Sequence, residues 1–198
     1  MTRNPQQTRQ KLLTTAFEEI HSHGFQGMRV DEVLRKTGLQ KGAFYHHFKS
    51  KLELGYAVLD EQIQLMLETT WLEPLKGIEN PLIDFPKLLA SHPDRIPRSM
   101  RVHGCPLNNL AQEMASQDDG FQQRVAGLFD SWIKAYTQLF EEAQTKGYVR
   151  ADIDAAEIAR FLVGVLEGSI SILKAERSPQ QWLACQSQIE VYFKGLQA

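Results

Sequence analysis

A chain of 198 residues, 42% hydrophobic and 23% charged, is long enough to bury its own core and excludes the disordered and fibrous classes. Two cysteines without CxxC or metal-ligand spacing, no signal-peptide pattern and no apolar run of membrane length point to a reducing cytoplasm and no membrane partner. The net charge of -2 hides a split: residues 1–51 hold nine Lys/Arg against four Asp/Glu and residues 52–198 thirteen against twenty, so only one end suits a polyanion.

Residues 1–7 are polar and read as a mobile arm, with Arg3 able to reach a neighbouring phosphate. From Thr8, the set Leu12, Leu13, Ala16, Phe17 and Ile20 predicts an amphipathic helix that ends at Gly24, with Phe25 folding back. Val30, Val33 and Leu34 recur at helical spacing as far as Thr37-Gly38. Leu39, Ala43, Phe44 and Phe48 then line one side of a second short helix. This is helix, tight turn, helix. The apolar residues face inward, leaving Gln40, Lys41, Gly42, Tyr45, His46 and His47 on the outer side. A donor-rich, aromatic, basic face of that kind fits a DNA major groove, although each residue alone reads equally well as solvated surface.

This stretch resembles the TetR family of transcriptional repressors. The shared residues are Gly24, Phe25, Val30, Val33, Thr37 to Leu39, Lys41, Gly42, Phe44, Tyr45, His47, Phe48, Ser50 and Lys51, about the first quarter of the chain. Two departures stand out: Met28-Arg29 where the family carries a hydroxyl pair, and Leu34 where it carries Ala. The resemblance implies a DNA-binding domain over residues 1–50 and a ligand-binding and dimerisation domain over residues 51–198. DNA contacts are expected at Arg29, Gln40, Lys41, Gly42, Ala43, Tyr45, His46, His47, Lys49 and Lys51, with His47, Lys49 and Lys51 mainly on phosphates and Arg29 as a charged replacement for the family's hydroxyl contact. The expected function is a ligand-responsive repressor that binds a palindromic operator as a homodimer and is released by a small-molecule inducer.

Further along, Ser50 as N-cap opens a long helix to about Thr70. Pro74, Pro81, Pro86, Pro93 and Pro97 then leave room for one short helix, Leu82 to Ala90, with loops on either side. Pro106 starts the next helix with Cys105 at its N-cap and an apolar stripe that includes Leu110 and Met114. A long helix from Phe121 to Ala143 follows, stopped at Gly147. Its Trp132, Tyr136 and Phe140 line a ligand pocket on one reading and form plain core on the other. Together with Cys105, Leu110 and Met114 they make up the candidate ligand set. Two helices close the chain, Ala155 to about Ala175 and a last one opened by Ser178-Pro179. Gly164 and Gly168 lie four apart in the first, each costing about 1 kcal/mol against Ala unless a neighbour offsets it. The resemblance implies a four-helix dimer interface there, with Phe161, Gly164, Gly168, Trp182, Ile189 and Tyr192 in or under it.

The expected fold class is all-α, since no strand pattern of any length occurs. No metal site or cofactor is expected, because His46-His47 and the pair His21/His23 lack the i, i+4 spacing that aims two imidazoles at one ion. A thiol at a helix N-cap favours thiolate, so a sensor of electrophiles through Cys105 is an alternative mechanism. An all-α enzyme acting on a small apolar substrate is the alternative from another class, with no catalytic residue to anchor it.

Overall fold

A computed structural model describes residues 4–96 and 98–198, and the described residues are mainly helical with no strand. Arg3 and Pro97 lie outside the described residues. In chain order the elements are α1 (Pro5–Gly27), α2 (Val30–Thr37), α3 (Lys41–His47), α4 (Lys51–Ala57), α5 (Gln64–Leu67), α6 (Pro81–Arg95), α7 (Arg98–His103), α8 (Pro106–Met114), α9 (Asp119–Thr145), α10 (Ala155–Glu176) and α11 (Gln180–Lys194). The chain divides into two compact units. One comprises the chain up to Met66 with Pro106–Gly127; the other comprises Leu67–Cys105 with Leu128–Ala198.

The helix ends follow local chemistry. Asn4 Oδ1 accepts from Gln6 N at 3.0 Å with Pro5 in the first helical position, so α1 begins three residues before Thr8. Gly24 breaks it with φ 77°, as its sequence position predicts, and the chain makes one more turn to Gly27. Gly38, at φ 65°, closes α2 in the left-handed region, where its N–H reaches back into the last turn. Ser50 Oγ accepts from Glu53 N at 3.1 Å and starts α4. From there residues 51–77 stay helical, but with π turns at Val58–Ile63 and Glu68–Leu72 and a 3-10 end at Glu73–Gly77. At the start of α11, Ser178 Oγ accepts from Gln180 N at 3.3 Å, but the cap position falls on Pro179, one residue later than the sequence places it.

One stretch differs from expectation. Helix α6 runs from Pro81 to Arg95 through Pro86 and Pro93, and α7 follows where a loop was expected. Asn80 caps α6 by accepting from Leu82 N at 3.0 Å. Phe85, Leu89 and His92 bury one face of it, which offsets the ladder bonds that the two prolines cannot donate.

The first unit packs Leu12, Leu13, Ala16, Val33, Phe44, Leu54, Val58 and Phe121 out of solvent. Arg9 donates to both oxygens of Glu61 at 2.7 and 2.5 Å, and Tyr56 donates to Asp118 at 2.7 Å. The second unit is built on rings: Trp71, Phe85, Trp132, Tyr136, Phe140 and Phe193 are buried together with Leu89, Ile158 and Leu162. Dense packing leaves little room for added atoms. A Cβ on Gly55 would lie 2.5 Å from Phe25 Cε2 and 2.8 Å from Phe121 Cζ. Gly55→Ala is therefore expected to lower stability by about 1–3 kcal/mol, read as a lower urea midpoint at unchanged slope.

Candidate nucleic-acid interface and interior cavity

Helix α3 buries Phe44, and Phe48 just beyond its end, and turns its other side out. Tyr45 is 60% exposed, its ring edge-on to Phe44 at 5.1 Å. Gln40, Lys41, Gly42 and His46 are exposed beside it, while Ala43 and His47 are half-buried. Lys41 Nζ lies 3.3 Å from Asp31 Oδ1, and both side chains are open to water, where such a pair contributes little and gives way to a stronger anion. His47 has its pKa lowered by burial, with His46 and Arg9 adding to the effect. Near neutral pH it therefore offers a neutral N–H rather than a charge. Arg29 and Lys49 are exposed on the flanks. Lys51 is half-buried: its Nζ donates to Gln26 O at 3.0 Å and stands 4.8 Å over the Phe25 ring.

The turn leading into α2 is held from a distance. Phe25 N and Gln26 N each donate to the Glu113 carboxylate at 2.8 Å. Gly24 is needed there twice, because its φ is left-handed and because a Cβ would lie 2.8 Å from both Glu113 oxygens. Sequence reasoning did not find Glu113, since nothing around it marks a partner 88 residues upstream.

The second unit contains a cavity of about 550 Å³ among α6, α7, α10 and α11, with Met100, Ile170, Trp182, His92, Arg101 and Arg177 in its wall. His92 is 2% exposed and stacked between Trp71, at 4.2 Å and 27°, and Trp182, at 5.0 Å and 28°. Its Nδ1 has no hydrogen-bond partner, and burial, aided by Arg95, pushes its pKa down to about 3. Trp182 Nε1 donates to Leu89 O at 3.1 Å, which fixes one side of the stack. The indole Nε1 of Trp132 and the hydroxyl of Tyr136 are also buried, with no partner beyond a weak contact between the two, and burial pushes the Tyr136 pKa up.

The residues expected to bind a ligand are dispersed. Leu110 and Met114 are buried in the first unit, and Cys105, Trp132, Tyr136 and Phe140 in the second. None of the six lines the 550 Å³ cavity, although Gly104, next to Cys105, does. Cys105 is 3% exposed and in no disulfide, so a reagent reaches it only after local opening. Of the residues expected at a dimer interface, Phe161, Gly164 and Gly168 are exposed and Tyr192 is half-buried, whereas Trp182 and Ile189 are buried in the chain's own core.

The N-terminal residues 12–58 match the family description "Bacterial regulatory proteins, tetR family", and residues 88–186 match "Tetracyclin repressor-like, C-terminal domain". Transcriptional regulator AcuR of Cereibacter sphaeroides is 31% identical over 174 residues, spanning 86% of this chain and 78% of AcuR. The chain belongs to the TetR family. It is a transcriptional regulator with a DNA-binding N-terminus. The HTH-type transcriptional repressor DhaR of Mycobacterium sp. strain GP1 is 26% identical over 181 residues, 90% of this chain and 87% of DhaR. Among solved structures, the regulatory protein TetR from Rhodobacter sphaeroides superposes with TM-score 0.81 at 27% identity, covering 91% of this chain and 96% of that one. A TetR transcriptional regulator from Chloroflexus aurantiacus J-10-FL gives 0.84 at 25% identity, covering 98% and 97%.

At the position where TetR-family members carry a hydroxyl pair, Met28 is 1% exposed and Arg29 makes no side-chain cap. Asp31 and Glu32 in the first turn of α2 supply the negative charge that its N-terminus favours. The Glu113 clamp is expected to contribute to stability in the same region. Glu113→Ala should cost about 1–3 kcal/mol, because two backbone donors lose a charged acceptor, and Glu113→Gln should cost less. Hydrogen exchange at Phe25 and Gln26 measures it directly.

Proposed function

We propose that this regulator represses transcription as a homodimer on a palindromic operator and is released by a small-molecule inducer held in its C-terminal part. In this reading residues 1–50 read DNA, residues 51–198 dimerise and bind ligand, and the protein works in the cytoplasm. Two copies place α3 in successive major grooves about 34–36 Å apart. Lys41, Tyr45 and His46 meet base edges, Gly42 and Ala43 allow close approach, and Gln40 adds a hydrogen-bonding edge. Arg29, Lys49 and His47 contact phosphates, and Lys51 stiffens the turn at Phe25 as well as adding charge. The observation that carries the reading is Tyr45, a large ring left 60% exposed at the centre of the basic end of the chain.

Dimerisation is supported by the outer side of α10 and α11. Phe161, Ile172, Leu183 and Val191 are 43–60% exposed, and a Cβ on Gly164 or Gly168 would meet nothing within 4 Å in the single chain. Two helical glycines with no neighbour to account for them fit close approach of a second copy. The ring of Phe161 packs on Tyr192 at 4.6 Å and joins the two helices on that side.

For release, a ligand must prefer one conformation over another, and it shifts the equilibrium only by that preference. The wall helix α7 runs through Gly104-Cys105 directly into α8, whose Glu113 holds the Phe25 and Gln26 amides. The π turns at Val58–Ile63 and Glu68–Leu72 give the helical run 51–77 places to change its winding. These are the two routes along which a change at the ligand reaches the DNA-reading helices.

Tyr45→Ala and Lys41→Ala should each weaken operator binding by about 1–3 kcal/mol while the dimer stays folded, measured by fluorescence anisotropy. Lys49→Ala should lower the slope of log affinity against log salt by about one. Gly168→Leu should yield monomers in sedimentation; a fully dimeric variant would move the interface off α10.

A further inference from the structure

The cavity among α6, α7, α10 and α11 has an order to it. Its apolar wall includes Pro93, Met100, Ile170, Leu173 and Trp182. The imidazole of His92 is buried, whereas Arg101 and Arg177 are exposed, so the hydrogen-bonding group sits at the inner end and the charge at the solvent end. No carboxylate among the described residues lines the cavity, which leaves the two guanidiniums as its only formal charges. Trp71 and Trp182 both stack on the His92 ring, which lines the cavity, and its buried Nδ1 has no partner. The volume of about 550 Å³ falls within the usual range for small-molecule sites.

We propose that this cavity binds an amphipathic monoanion whose acid group pairs with Arg101 and Arg177 and whose apolar body carries one hydrogen-bonding group to the His92 imidazole. Guanidinium groups bind carboxylates in planar, paired geometry, which selects an acid over a neutral isostere. The neutral imidazole at the inner end offers an acceptor or a donor according to tautomer, and a hydroxyl on the ligand serves either. Pure hydrocarbon at that end would offer the imidazole no hydrogen bond, so the site separates hydroxylated from unsubstituted bodies. The site rests on the ligand-released repressor reading only for its effect on DNA, and binding itself is independent of that reading.

The test uses the full-length dimer and three probes: 4-(4-hydroxyphenyl)butanoate, its primary amide, and 4-phenylbutanoate. Calorimetry and tryptophan fluorescence read binding, the latter because Trp71 and Trp182 flank His92. The hydroxylated acid is expected to bind roughly tenfold tighter than the amide, as loss of a charge-assisted pair predicts. The double variant Arg101→Ala with Arg177→Asn should erase that difference. Asn is chosen because it tolerates the φ of 55° that Arg177 adopts. Both arginines are exposed, so this variant keeps the fold. The acid lacking the phenol hydroxyl should bind several-fold more weakly to the wild type but as tightly as the hydroxylated acid to His92→Phe. Equal binding of acid and amide, or no binding of any probe to the dimer, would overturn the proposal, the latter because a neighbouring surface then fills the cavity. Binding with the expected selectivity but unchanged operator affinity would uphold the site and overturn the inducer reading instead.

Discussion

The turn between α1 and α2 depends on a carboxylate supplied 88 residues later in the chain, Glu113, which accepts from the amides of Phe25 and Gln26. Gly24 leaves the helical region just before those amides and so frees them from the α1 ladder. A charged acceptor that satisfies the part-buried Phe25 donor and the exposed Gln26 donor together fixes the direction in which the chain leaves α1. The orientation of α2, and of α3 behind it, follows from that direction. Lys51 tightens the same corner from the other side by donating to Gln26 O and covering the Phe25 ring.

The second unit solves a different problem. Its core is dominated by aromatic side chains, several with polar atoms that a hydrocarbon interior does not satisfy. Trp182 finds a carbonyl at Leu89, whereas His92 keeps an unpaired atom inside and Trp132 and Tyr136 have at best each other. The stacking of His92 between two indoles holds the ring in place despite that cost. A core with unpaired polar groups beside an open cavity is a poor design for stability alone and a suitable one for binding.

Local signals made most of the helical frame legible before any coordinates. The Gly24 break, the Gly38 stop and the Ser50 cap all depend on a residue and its neighbours within one turn, so they stand in the structure where the sequence places them, and the Ser178-Pro179 start is displaced by one residue. Helix α6 did not follow those rules. Its prolines argue for interruption, yet the burial of Phe85, Leu89 and His92 outweighs two lost ladder bonds, and burial is a property of partners far away in the chain.

The same division holds for the functional parts. The motif from Thr37 to Lys51 is contiguous, so which side chains of α3 turn outward could be read from helical periodicity and the family from its spacing. The cavity draws on Met100, Ile170 and Trp182, each on a different helix, and periodicity shows that a residue faces inward without saying what it faces. Trp132 and Tyr136 were candidates for lining a ligand pocket on that ground and are fully buried, while His92 and the two arginines, unremarked in the sequence, line the space. Sequence by itself determined most of the helices, several of their ends and which side of α3 turns outward, because those arise from interactions within a few residues. Only the tertiary structure decided where the interior stays open and which polar atoms are left unpaired there, because both depend on how distant side chains fill volume.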